Sequence, residues 1–182
     1  MSGIPSRVVM AVAAVSLALP MVASAQTSTW KDVQVSDIET MRDKFIALAG
    51  AFDESQYDWR PMEGVRSVRE VLSLAVAEAN LFPGLWGIDA PAGAAEGFGP
   101  EMERVGAMGK TAIVEELGRS FEHLVGAVRG MDEAKRMSES SFFGRAMPTH
   151  ANVATAMGDM HEHLGQLIAY ARTNKVVPPW SR

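Results

Sequence analysis

The amino-acid sequence predicts an all-α fold, a four-helix bundle. Three observations carry that expectation. Apolar residues recur three and four apart in four separate stretches, helix-start signatures open these stretches and Gly- or Pro-rich segments divide them, and no run alternates as a half-buried strand would. With 182 residues, 47% of them hydrophobic and 21% charged, the chain is long enough to bury a sizeable core.

The first helix is expected over 37–51. Ile38, Met41, Phe45, Leu48 and Phe52 form its stripe, and Ser36 with Glu39 reads as a capping box. A turn-like aromatic segment, 53–61, follows with Tyr57 and Trp59. Ser67-x-x-Glu70 then repeats the capping signature ahead of Val68, Val71, Leu72, Ala75, Ala79 and Phe82, so helix two should end near Phe82. Between Pro83 and Lys110 stand ten glycines and prolines, too many for a long regular element, with room for a short helix over 101–108. Helix three starts near Thr111 and presents Val114, Leu117, Phe121, Leu124, Val125 and Val128 until Gly130 and Asp132 stop it. Pro148-Thr149 opens the longest helix, with Val153, Met157, Met160, Leu164, Ile168 and Ala171 in register to Asn174, before Val177-Pro178-Pro179. The apolar residues of the Gly/Pro-rich stretch, Phe82, Leu85, Trp86, Ile88 and Phe98, are expected to fold back and cap the core, a lid or partner surface being the other reading. Trp180 is likewise expected to pack on the bundle.

Composition removes several function classes. With no cysteine there is no disulfide scaffold, thiolate metal site, iron–sulfur cluster or cysteine nucleophile. A formal charge of −5 without basic clusters argues against nucleic acid. At the N-terminus, Arg7, the apolar run 8–19 and Ala23-Ser24-Ala25 read as a secretory signal peptide over residues 1–25, leaving 26–182 as one exported domain, periplasmic or secreted. Twelve apolar residues reach only about 18 Å as a helix, short of a hydrocarbon core of roughly 30 Å, so no membrane anchor is expected after cleavage.

Polar residues on otherwise apolar helices are the candidates for chemistry. On the fourth helix Asp159 and His163 are i and i+4, stand over one another, and share a stripe with Gln166 and Tyr170. His161 lies about 160° round the helix from His163, so the two cannot ligate one ion while the segment stays helical. His123 falls on the far side of helix three and is expected to be solvated. His150 is expected to serve the start of its helix. Glu78 stands on the apolar side of helix two, beside Val71 and Ala75. A carboxylate there needs a partner, water or a cation, and an internal ion pair with an arginine or a metal are both open.

Two segments resemble the DinB-like superfamily: Tyr57-Asp58-Trp59-Arg60-Pro61 with Gly64 to Leu72 at the entry to helix two, and His163-Leu164-Gly165-Gln166-Leu167-Ile168-Ala169-Tyr170-Ala171-Arg172 at the end of helix four. The resemblance spans about residues 35–180. It implies a four-helix bundle that in many members holds a divalent metal through three histidines, one on helix two and an i, i+4 pair on helix four. Those positions fall on Leu74, Asp159 and His163, so only one histidine remains. The family's activities, as the resemblance implies, include metal-dependent transfer of low-molecular-weight thiols to electrophiles, for which export makes a cytosolic thiol less available.

Two expectations follow. The one the residues favour, because Leu74 and Asp159 stand where histidines are expected, is that the metal site is lost or altered, no cofactor is needed, and the exported bundle binds a small molecule or a partner. In the other, Glu78 replaces the ligand missing at Leu74, and a divalent metal ion held by Glu78, Asp159 and His163 serves a hydrolase or transferase. A homodimer is compatible with a bundle of this size, although no residue pattern fixes its interface.

Overall fold

The computed structural model describes residues 29–181. The expected signal peptide, residues 1–25, lies outside the described residues. Four long helices form the bundle: α1 (Trp30–Ala51), α2 (Val68–Leu81), α4 (Lys110–Gly130) and α6 (Thr149–Thr173), joined by shorter α3 (Phe98–Gly106) and α5 (Glu133–Met137). None of the described helices is long and apolar enough to cross a membrane.

The start of α1 corrects the sequence expectation. The helix begins with a capping box at Thr29, whose hydroxyl accepts from the Asp32 amide at 3.2 Å while the Asp32 carboxylate accepts from the Thr29 amide at 3.0 Å. Ser36 and Glu39 therefore lie inside the helix. The added turns are held by Trp30, which is half-buried, lies under the Arg136 guanidinium at 5.9 Å and meets the His150 ring edge-on. The box expected for α2 is present: Ser67 Oγ accepts from the Glu70 amide at 3.2 Å and Glu70 Oε2 accepts from the Ser67 amide at 2.6 Å. Before it, Tyr57 is fully buried and donates to the Ala49 carbonyl at 2.9 Å, tying the connecting segment to the end of α1.

A second correction concerns strands. Glu139–Phe142 (β1) and Arg145–Pro148 (β2) pair as an antiparallel hairpin, with Ser141 opposite Ala146. Phe143 and Gly144 at its tip both adopt positive φ, 47° and 85°, the backbone a two-residue hairpin turn requires. Neither strand is buried deeply enough to need an alternating apolar pattern, which is why the sequence carries no such signal.

In the bundle, α1 packs mainly against α4 and α6, and α2 packs against the same two helices from the other side. Consecutive α1 and α2 are thus diagonal. The short α3 covers the outer face of α2, so every residue from Val71 to Asn80 is buried. A polar network fastens that cover. Glu101, fully buried, accepts from Arg104, from Asn80 Nδ2 at 2.8 Å and from the Ala95 amide at 2.7 Å, and Arg104 also pairs with Glu116 on α4. Burial alone would raise both carboxyls, but their hydrogen bonds outweigh it and hold Glu101 and Glu116 below the usual carboxylate range.

The Gly/Pro-rich connection folds back as expected. Phe82 and Trp86 are buried, and the Trp86 indole donates to Asn152 Oδ1 at 3.1 Å. Trp180 returns to α1 beside the Lys44 ammonium, yet it stays 40% exposed.

Candidate metal centre

The turn-by-turn spacing of α6 puts Asp159 above His163 on the flank that faces α2. The packing of α2 against α6 then brings Glu78 across to them. His163 Nε2 stands 3.1 Å from Glu78 Oε1 and 4.0 Å from Asp159 Oδ2. One ligand atom from each of the three residues lies within 4.8 Å of the others. The sequence-derived candidates therefore come together from two helices far apart in the chain. Leu74, where the family's helix-two histidine would fall, is nearly buried one turn before Glu78 and contributes no ligand atom.

Burial is graded across the three. The side chain of Glu78 is 3% exposed, that of His163 16% and that of Asp159 37%, so the cluster opens to solvent on the Asp159 side. Burial pushes the Glu78 carboxyl up, with the contact to His163 opposing the shift and Asp159 adding to it. Contact with Glu78 pushes the His163 imidazole up against its own desolvation, and the nearby Arg66 charge works the other way. Both shifts arise from the same buried 3.1 Å contact between Glu78 and His163. Glu78 Oε2 is buried with no hydrogen-bond partner, a coordination position left over on the wall of the site.

The chemistry of this donor set suits a divalent cation: two carboxylates and one imidazole, with no thiolate. Its inner donor is fixed by packing, and its outer carboxylate leaves a side open to water or substrate. The partner of Glu78 is thus a histidine and not the arginine the sequence allowed.

Further along the same stripe, Gln166 donates to the Tyr170 hydroxyl at 2.8 Å, and that hydroxyl donates to the Arg66 carbonyl at 3.0 Å. Trp59 meets the Tyr170 ring edge-on at 5.2 Å. These contacts fix the connecting segment and Arg66 beside the cluster.

The remaining histidines separate cleanly. His161 faces away and pairs with Asp37 on α1 at 2.9 Å, as its angle on the helix requires. His150, in the first turn of α6, places Nδ1 3.3 Å from the Arg136 carbonyl. His123 is not solvated as expected: it is half-buried, its Nε2 is closed off without a partner, and burial lowers its pKa. No local pattern signals this, because the groove that His123 lines is completed by Trp86 and Ile88 of the irregular connection.

The sequence pattern of the DinB superfamily matches residues 37–169. The chain belongs to the DinB superfamily. Solved structures agree on the fold. A DinB-like protein from Bacillus cereus superposes with a TM-score of 0.67 at 13% identity, covering 80% of this chain and 93% of that one. A mutant of the mycothiol-dependent maleylpyruvate isomerase gives 0.62 at 14% identity, and the unmutated isomerase 0.56 at 16%. Each of these covers 77% of this DinB chain and 63% of the isomerase, so this chain spans less than two thirds of that enzyme. At such identities the likeness speaks for the fold. Among curated proteins no sequence matches significantly.

Proposed function

We propose that Glu78, Asp159 and His163 form an altered but working DinB centre for a divalent cation, and that the protein is a metal-dependent hydrolase or transferase. The observation that carries this reading is the convergence of one ligand atom each from Glu78 on α2 and from Asp159 and His163 on α6, all within 4.8 Å of one another. A bound cation would supply Lewis-acid polarisation of a water or a substrate oxygen. The protein's own part is clearer in outline. Glu78, fixed in the apolar wall, would be the inner donor; His163, whose Nε2 faces that carboxylate at 3.1 Å, would give up the proton between them and turn that nitrogen to the ion; and Asp159, 37% exposed, would flank the approach for substrate. Replacing two imidazoles with carboxylates hardens the donor set and favours manganese, magnesium or zinc with oxygen-rich coordination over an all-histidine selectivity.

Export belongs to this proposal, supported by the charged, apolar and small-residue succession of residues 7–25. It would place the centre in the periplasm or outside the cell, acting on a small molecule without a cytosolic thiol. The rival reading, a metal-free bundle that binds a small molecule or partner, is favoured by one feature: the 3.1 Å contact by which Glu78 and His163 satisfy each other.

Metal analysis of the purified protein separates the two. Titration calorimetry with manganese and zinc should give one site per chain, weakened at least about tenfold in His163→Ala and in Glu78→Gln. A wild-type protein that binds neither ion, or that binds them equally well in both variants, would establish the metal-free reading.

A further inference from the structure

A cleft away from the triad has lining of another kind. A groove of about 610 Å³ runs between α4 and the chain that follows Trp86, closed at one end by α5. That volume lies within the range of small-molecule sites. Its floor is built from small residues of α4, with Gly126 and Gly130 exposed and Ala127 nearly buried between them. Trp86 lies beneath, out of reach of solvent, and Ile88 forms a half-buried apolar wall.

One cation stands over this groove. The Lys135 side chain crosses it, so that Nζ would come within 3.2 Å of a Cβ placed on Gly87. Gly87 itself sits at φ 79°, and its missing side chain makes room for the ammonium. Lys135 has no carboxylate within ion-pair distance among the described residues; Asp132, at the same rim, directs its Oδ1 to the Lys135 backbone amide at 2.7 Å as the cap of α5. His123 also lines the groove, half-buried, with its Nε2 closed off from solvent. A cation without an ion-pair partner among the described residues, over an apolar floor, has the makings of a ligand site and no evident role in holding the fold.

We infer that this groove binds a small organic anion with an apolar body, its carboxylate taken by Lys135 and its body laid on Ile88 and the glycine floor of α4. The inference stands apart from the metal centre. Charge decides the class of ligand: an uncharged molecule of the same shape leaves the Lys135 ammonium unpaired, and a cationic one meets it directly.

Calorimetric titration of the full chain with 2-naphthoate and with uncharged 2-naphthalenemethanol tests it. One naphthoate should bind per chain, about tenfold or more tighter than the alcohol, as a charge-assisted hydrogen bond implies. A Cβ on Gly126 would meet nothing within 4 Å, so Gly126→Leu can occupy the groove without clash, and leucine favours the helix. This variant, folded by circular dichroism, should lose both ligands. Lys135→Ala should reduce naphthoate to the affinity of the alcohol. Binding should persist in His163→Ala, which separates the groove from the triad. Absence of naphthoate binding at millimolar concentration, binding indifferent to Gly126→Leu, or an anion preference that survives Lys135→Ala would each overturn the inference. So would a dimer in sedimentation of the ligand-free protein that Gly126→Leu dissolves, because the occupant would then be a second copy of the chain.

Discussion

Glu78 and His163 show how much one buried carboxylate asks of its neighbours. Removing either partner leaves the other stranded between α2 and α6, whereas replacing both with apolar side chains restores a packed contact. His163→Ala should therefore destabilise the protein by about 1–3 kcal/mol. The double variant Glu78→Leu/His163→Leu should recover most of that loss. A double-mutant cycle from urea denaturation measures the coupling, and additive losses would mean that the pair does not act as a unit. His123 makes the opposite case. Burial lowers its pKa, so the unfolded chain binds a proton more readily than the folded one, and the stability this confers above the ordinary value of 6.5 is lost as pH falls below it. His123→Leu removes an unpartnered polar atom, should raise the melting temperature, and should flatten stability against pH below about 6.5, read from thermal melts at falling pH. At this scale the sequence was legible where geometry is local: the i, i+4 relation of Asp159 and His163 and the separation of His161 follow from helix pitch alone. What His123 touches does not, because its cover comes from a connection without periodicity.

Among elements, α3 depends most on a single side chain. Arg104 joins the fully buried Glu101 to Glu116 and so clasps α3 and its preceding loop against α2 and α4. Arg104→Ala takes the cation from the fully buried Glu101, while Glu116 keeps Arg119 at 2.6 Å, and should cost about 3–5 kcal/mol, measured by urea denaturation. The same clasp sets an acid limit. Both carboxyls sit below their ordinary value of 4.5 when folded, so their stabilisation is complete above that pH and is lost as pH falls through the lower, folded values. Circular dichroism during acid titration should show wild type losing helix below about pH 4.5, with Glu101→Gln less stable at neutral pH but less sensitive to acid. The element boundaries show the reach of sequence patterns. The capping box of α2 was readable because the helix stripe starts directly after it. That of α1 was masked by a second, equally good signature at Ser36, and the choice between them rests on Trp30 packing against Arg136 and His150, which is tertiary. The hairpin was unreadable for a related reason: its solvent-facing strands impose no alternation.

The whole molecule explains why Glu78 was recognisable as anomalous but not assignable. A carboxylate on an apolar face can be seen in one dimension; its partner depends on α2 lying between α4 and α6, an order that the helix stripes do not encode. That arrangement also makes the proposed cation a link between two helices far apart in the chain. Because a ligand that binds only the folded state stabilises it by mass action, a free cation at a hundred times its dissociation constant should add about 2.7 kcal/mol. For a protein of this size the melting temperature should rise by about 5–10 °C. The chain holds no cysteine, so the rise cannot come from metal-driven thiol chemistry and should be the same with or without reductant. Differential scanning calorimetry with manganese or zinc against a chelated control reads the shift directly. It should vanish in His163→Ala and in Asp159→Asn, while Lys135→Ala, in the separate groove, should keep it in full. An equal shift in all three variants would mean that the ion stabilises the surface at large, and the link between α2 and α6 would have to be abandoned.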